Sequence, residues 1–125
     1  MRQTDCCIEN FASVRNLLTD PFRGTFRGRV ADLKEASYNN SGNAKREFDL
    51  VDDRGAYVKC CAMYHNAGSA ALKENNLIVI YCATGRGPIG GEAGKLYAFR
   101  DAFIVFNGEK FLGAPKRTLC EIKKD

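Results

Sequence analysis

The sequence predicts an all-β domain with short helices: a five-stranded barrel, a short helix between the third and fourth strands, and an N-terminal arm that is helical or extended. Three observations carry this. Apolar residues recur every three to four positions near the start, then every second position from Phe22 onward. Strand-length segments follow, separated by turns rich in Gly, Asn and Asp. Residues 77–82 are apolar on both faces, as a central strand requires.

Taken in order, residues 5–19 place Ile8, Phe11, Val14 and Leu18 at helical steps, with Thr4 or Asp5 available to cap a first turn. An extended path is the alternative. Pro21 and Gly24 end that segment. In the first strand, Thr25, Arg27 and Arg29 alternate with Phe26, Gly28 and Val30, giving one cationic and one apolar face. Its glycines mark a strongly coiled strand, as small barrels need at corners. The Asn-rich residues 38–44 read as a flexible loop. Residues 46–52 form the second strand, with Phe48 and Leu50 on one side and Glu47 and Asp49 on the other. The turn Asp53-Arg54-Gly55 leads into the third strand, residues 56–64. A short helix around residues 69–73 is anchored by Leu72. The fourth strand, a glycine-rich loop over residues 84–94, and a fifth strand over residues 96–106 complete the barrel. Leu119 and Ile122 are placed to dock a last helical turn. The division is therefore residues 1–21 as an arm, 22–107 as the barrel, and 108–125 as a basic tail or helix.

Composition narrows the function classes. With 125 residues, 45% hydrophobic and 27% charged, the chain is long enough for one core. No apolar run reaches the ~18 residues of a membrane span, so no membrane partner is expected. The N-terminus lacks the layout of a signal peptide. The six cysteines include two adjacent pairs, Cys6-Cys7 and Cys60-Cys61, and no C-x-x-C. Adjacent strand residues face opposite ways, so Cys60 and Cys61 do not ligate one ion in the usual manner. Reduced core thiols in an intracellular protein are expected, with no metal and no other cofactor. A net charge of +4 is compatible with a polyanionic partner, but the placement of the charges must decide.

Five strands, a helix after the third, and long loops after the first and fourth are the layout of the oligonucleotide-binding (OB) fold. Within it, Gly28-Arg29-Val30, then the run from Phe48 to Gly55, then Val58-Lys59-Cys60-Cys61-Ala62-Met63 resemble the single-stranded-DNA-binding domains of replication protein A, particularly its large subunit. The strand from Phe99 to Phe106 looks like that family's closing strand. The resemblance covers residues 22–106, and its most specific part is Phe48 to Gly55. The glycine-rich loop departs from the family as an elaboration, and the zinc ribbon of one family domain is lacking. The resemblance implies a nuclear protein that binds single-stranded nucleic acid, DNA favoured over RNA, with little sequence preference. Its setting would be replication, repair or recombination, with other OB-fold subunits as further partners.

Single strands are held by a cationic groove that tracks phosphates and by aromatic faces on which bases stack. In an OB-fold that groove runs over strands two and three, walled by the one-two and four-five loops. The cationic candidates are Arg27 and Arg29 on strand one, Lys45 and Arg46 entering strand two, Lys59 on strand three, and Arg86 and Lys95 around the glycine-rich loop. The aromatic candidates are Tyr57, Tyr64 and Tyr97, with Tyr81 and Phe99 ranked below them. Tyr64 and Tyr97 match the family's stacking positions, after strand three and at the start of strand five.

Other chemistries are disfavoured. Gly85-Arg86-Gly87-Pro88-Ile89-Gly90 satisfies G-x-G-x-x-G, but no helix follows to bind a pyrophosphate, and too little chain remains for a dinucleotide fold. Gly94-Lys95 is followed by Leu96 where a P-loop needs Ser or Thr. His65 is solitary, and Asp52-Asp53 sits at a hairpin turn where Asp serves backbone hydrogen bonds. The chain is therefore expected not to be an enzyme. The competing function is an OB-fold used as a protein-interaction module, binding a subunit or peptide in a genome-maintenance complex.

Overall fold

The computed structural model describes residues 2–11, 22–86, 94–110 and 118–119. Its strands are β1 (Arg2–Ile8), β2 (Phe22–Ala31), β3 (Ser37–Tyr38), β4 (Ala44–Val51), β5 (Ala56–Met63), β6 (Asn76–Arg86), β7 (Lys95–Ala98), β8 (Phe103–Lys110) and β9 (Thr118–Leu119). Five of them close a ring in the order β2-β4-β5-β7-β6 and back to β2. The β5–β7 seam is parallel, and the other four junctions are antiparallel. This is the OB barrel, with β1 added beside β2 and β8 beside β6.

Period-two alternation fills the interior. Phe26 and Val30 from β2, Phe48 and Leu50 from β4, Val58, Cys60 and Ala62 from β5, Ile78 and Ile80 from β6, and Leu96 and Ala98 from β7 form one core with Leu72. β2 is long enough to pair with β6 over most of its length and with β4 at its end, as closure demands. The β2–β6 ladder carries a bulge, where Tyr81 and Cys82 stand opposite the single residue Thr25. Cys82 takes a left-handed conformation there, φ 59°, and the extra residue sharpens the strand's turn.

Residues before the barrel are integral to it. Over Arg2–Ile8 the chain is extended and runs parallel to β2, so the helical option does not hold there, while residues 12–18 lie outside the described residues. Phe11 is fully buried and packs on Phe26, with ring centroids 6.2 Å apart. A Cβ at Gly28 would lie 2.8 Å from the Val51 carbonyl oxygen and 3.0 Å from Phe11 Cζ, so only glycine fits beneath the incoming ring. The buried Asp52 carboxylate accepts from the Phe11 N–H at 2.8 Å, and from the N–H groups of Arg54 and Ala56 at 2.9 Å each. One side chain thereby shapes the β4–β5 turn and fastens the N-terminal segment to it.

Four further differences from the sequence expectations have local causes. The helix between the third and fourth barrel strands is a 3-10 helix over Tyr64–Gly68, and the Ser69 to Lys73 stretch forms turns, with Leu72 still in the core. The fourth barrel strand runs on to Arg86, because its end pairs with β7. The expected fifth strand is two strands, broken by a turn at Phe99 to Ala102 that is closed by the Ala102 N–H to the Phe99 carbonyl. The Asn-rich loop is a tight hairpin: Asn39 Oδ1 accepts from the N–H groups of Ser41 and Asn43, and Gly42 takes φ 79°.

Candidate nucleic-acid interface

The outward positions of β4, β5, β7 and β6 make one continuous face. Register sets Glu47 beside Cys61, Cys61 beside Tyr97, and Tyr97 beside Thr84. One row over, Asp49 faces Lys59, and Lys95 faces Arg86. Tyr97 and Phe99 lie two residues apart on the same side, and their rings stack in parallel with centroids 5.1 Å apart. The Arg86 guanidinium covers both, 5.2 Å from the Phe99 ring and 5.8 Å from the Tyr97 ring.

A second aromatic–arginine pair adjoins the first. Tyr64 begins the 3-10 helix with φ 59°, and the Arg100 guanidinium lies 4.0 Å from its ring centre. Arg100 occupies the turn between β7 and β8. The buried Asn66 donates from Nδ2 to the carbonyls of Phe99 and Ala102, at 2.8 and 2.9 Å, and so braces that turn against the helix. Tyr64, Arg86, Phe99, Arg100 and Asp101 line an open cleft of about 390 Å³. The Asp101 carboxylate is held by Arg23, which stands beside Thr84 on the same face.

The cationic candidates divide into two groups. Lys45, Lys59, Lys95 and Arg86 are on the face just described. Arg27 and Arg29 are not: they lie on β2, where Arg27 pairs with Glu9 and donates to Asn107, and Arg29 pairs with Asp53. Both are committed to holding the N-terminal segment, β8 and the β4–β5 turn. Arg46 is likewise structural, donating from Nε to the Lys34 carbonyl at 2.7 Å to tie the first loop to β4. Tyr57 is half-buried near β9, about 13 Å along β5 from the Tyr97 row.

The face is not uniformly cationic. Glu47 sits 3.6 Å from both Lys45 and Lys95, and Lys59 borders a small hollow with Asp32, Glu47 and Asp49. Beneath them the Cys61 thiol is pushed up by burial and then by Glu47, so it stays neutral. Cys60 points into the core, and its thiol is raised further by burial.

The fold also brings to this face Arg23, Arg100 and Asp101, which sequence reasoning did not single out, and Phe99, which it ranked below Tyr97. The Tyr97-x-Phe99 spacing was a signal for a shared face, and the charged Arg100-Asp101 pair inside an apolar run was a signal for a turn. Tyr38, 74% exposed at the tip of the β3–β4 hairpin, was also passed over as a stacking candidate.

No protein-family model matches the sequence, and no curated protein matches it. Among solved structures, an OB domain from Thermoplasma acidophilum is similar at a TM-score of 0.53 and 12% identity, covering 74% of this chain and 81% of its own. A replication protein A heterotrimer bound to single-stranded DNA is similar at a TM-score of 0.53 and 17% identity, over 70% of this chain and 22% of that one. Ring order, parallel seam and these neighbours agree that the chain is built on the OB fold.

Proposed function

We propose that this chain is a non-catalytic OB domain that binds single-stranded nucleic acid, DNA in preference to RNA, across β4, β5 and β7. The observation that carries it is the grouping of the Tyr97–Phe99 stack and Tyr64 with Arg86, Arg100, Lys59 and Lys95 on one outward face. Aromatic faces offer bases a sequence-tolerant platform, and the flanking cations neutralise phosphates. One structural neighbour is a replication protein A heterotrimer bound to single-stranded DNA, which supports both the ligand and OB-fold subunits as partners. A nuclear role in replication, repair or recombination belongs to the same proposal.

The test is a fluorescence-anisotropy titration of an oligo-dT of about 15 nucleotides, chosen from OB site sizes. With three or four phosphates neutralised, the slope of log affinity against log salt should be about −2 to −3. Tyr97→Ala and Phe99→Ala should each weaken binding about tenfold. Absence of binding at about 50 mM salt overturns the proposal.

A protein-interaction role has its own observation. Tyr81, Phe103 and Val105 are exposed on one side of β6 and β8, with Tyr81 and Phe103 stacked at 4.9 Å. That strip is apolar, and it favours contact with a protein rather than a nucleic acid.

A further inference from the structure

We infer that the cleft beside the Tyr97–Phe99 stack reads one base of the bound strand and that this base is guanine. The inference rests on the strand-binding proposal above and departs from the expectation of little sequence preference. It begins from the chemistry of the lining. The cleft presents two guanidinium groups, Arg86 and Arg100, which only donate, and one carboxylate, Asp101, which only accepts. Two aromatic rings, Tyr64 and Phe99, complete the lining with the guanidinium planes of Arg100 and Arg86 laid over them, and such planes are themselves stacking surfaces for a base. Its volume of about 390 Å³ lies within the ~300–1,000 Å³ of small-ligand sites.

The four bases differ in how they meet such a lining. Guanine alone places two donors side by side on its Watson–Crick edge, N1–H and the exocyclic amine, which a carboxylate accepts together. Its other edge carries the O6 and N7 acceptors, which suit an arginine fork. Cytosine and adenine each set a ring acceptor against the carboxylate next to their single amine. Thymine offers one N–H flanked by two carbonyl oxygens, which repel the carboxylate. Single-stranded bases are free to present these edges, because no complementary strand covers them.

The carboxylate is also held in place. Arg23 contacts Asp101 Oδ2, and a carboxylate has about four acceptor positions, so capacity remains for a base. Asn66 fixes the turn that carries Arg100 and Asp101, through both the Phe99 and Ala102 carbonyls. Arg100 and Asp101 are thus mounted on a braced turn rather than on a free loop, as discrimination requires.

The experiment compares three oligonucleotides of about 15 nucleotides: all-dT, the same with one central dG, and the same with deoxyinosine there. The dG strand should bind about tenfold tighter than all-dT, from one bidentate pair. Deoxyinosine, which lacks the exocyclic amine, should lose most of that advantage. Asp101→Asn should bring the dG-to-dT ratio to within about twofold, and a ratio that stays near tenfold overturns the assignment of the reading to this carboxylate. Equal affinity for dG and all-dT strands, with all-dT binding intact, overturns this inference and leaves strand binding standing. Loss of all binding to every strand overturns both. Free dGMP competing as well as the dG strand at equal concentration overturns a strand-borne base in favour of a mononucleotide.

Discussion

Replacing Asp52 by Asn tests whether one carboxylate fastens the N-terminal segment to the barrel. The residue is 3% exposed, and its two oxygens divide their work: Oδ1 takes the N–H groups of Arg54 and Ala56, while Oδ2 takes that of Phe11. An Asn can keep its oxygen toward the turn, but its amide nitrogen then faces the Phe11 N–H, donor against donor. One hydrogen bond to a charged acceptor is lost, worth about 1.5–3 kcal/mol. For a domain of this size about 1 kcal/mol corresponds to roughly 4 °C, so the melting temperature should fall by about 6–12 °C. Thermal unfolding followed by circular dichroism reads this directly. Pairing with Phe11→Ala sharpens the test: once that ring is gone, Asp52→Asn should cost markedly less, a coupling of about 1 kcal/mol or more. A drop below about 2 °C, or strict additivity of the two substitutions, would refute the clamp.

The other expectations concern packing, charge and thiols. Gly28→Ala should destabilise by about 1–3 kcal/mol, because the obstructing atom is the Val51 carbonyl oxygen rather than a yielding side chain; urea denaturation checks it. Glu47→Gln should strengthen oligo-dT binding about threefold at low salt by releasing Lys45 and Lys95, and unchanged affinity would show those lysines take no part. Asn66→Ala leaves the Phe99 and Ala102 carbonyls without their side-chain donor, so it should lower stability by about 1–3 kcal/mol and weaken strand binding in the same titration. Burial raises the Cys60 and Cys61 thiols above their ordinary value of 9.0, so the unfolded chain loses these protons first as pH rises. Stability is therefore full below that value and declines above it. The melting temperature should fall as pH rises above about 9, and Cys60→Ala with Cys61→Ala should flatten that limb.

What was legible in the chain was whatever depends on local period. The barrel strands follow from alternation at Phe26 to Val30, Phe48 to Leu50 and Val58 to Ala62, because each side chain's neighbours across the sheet repeat the same two-residue rhythm. The placement of Lys59, Lys95, Arg86 and Tyr97 on one face follows from the same rhythm. Non-local partners were not legible. Arg27 and Arg29 read as a free cationic face until Glu9, Asn107 and Asp53 are brought to them from 18, 80 and 24 residues away. Phe11 fits a helical spacing as well as it fits an extended entry, and nothing in residues 5–19 shows that its ring is to fill the space above Gly28. The break in the last barrel strand depends on Asn66, whose role cannot be seen from residues 96–106 alone.

The interlock of Phe11 with Gly28 and Asp52 has a kinetic consequence. Its hydrogen bond joins positions 41 residues apart, and the acceptor exists in usable form only after the hairpin around Asp52 has folded. Docking of the leading segment is thus a late event in assembly, contingent on strands made after it, and such long-range closure slows folding. During synthesis the residues around Phe11 must wait for strands made after them before they find their seat.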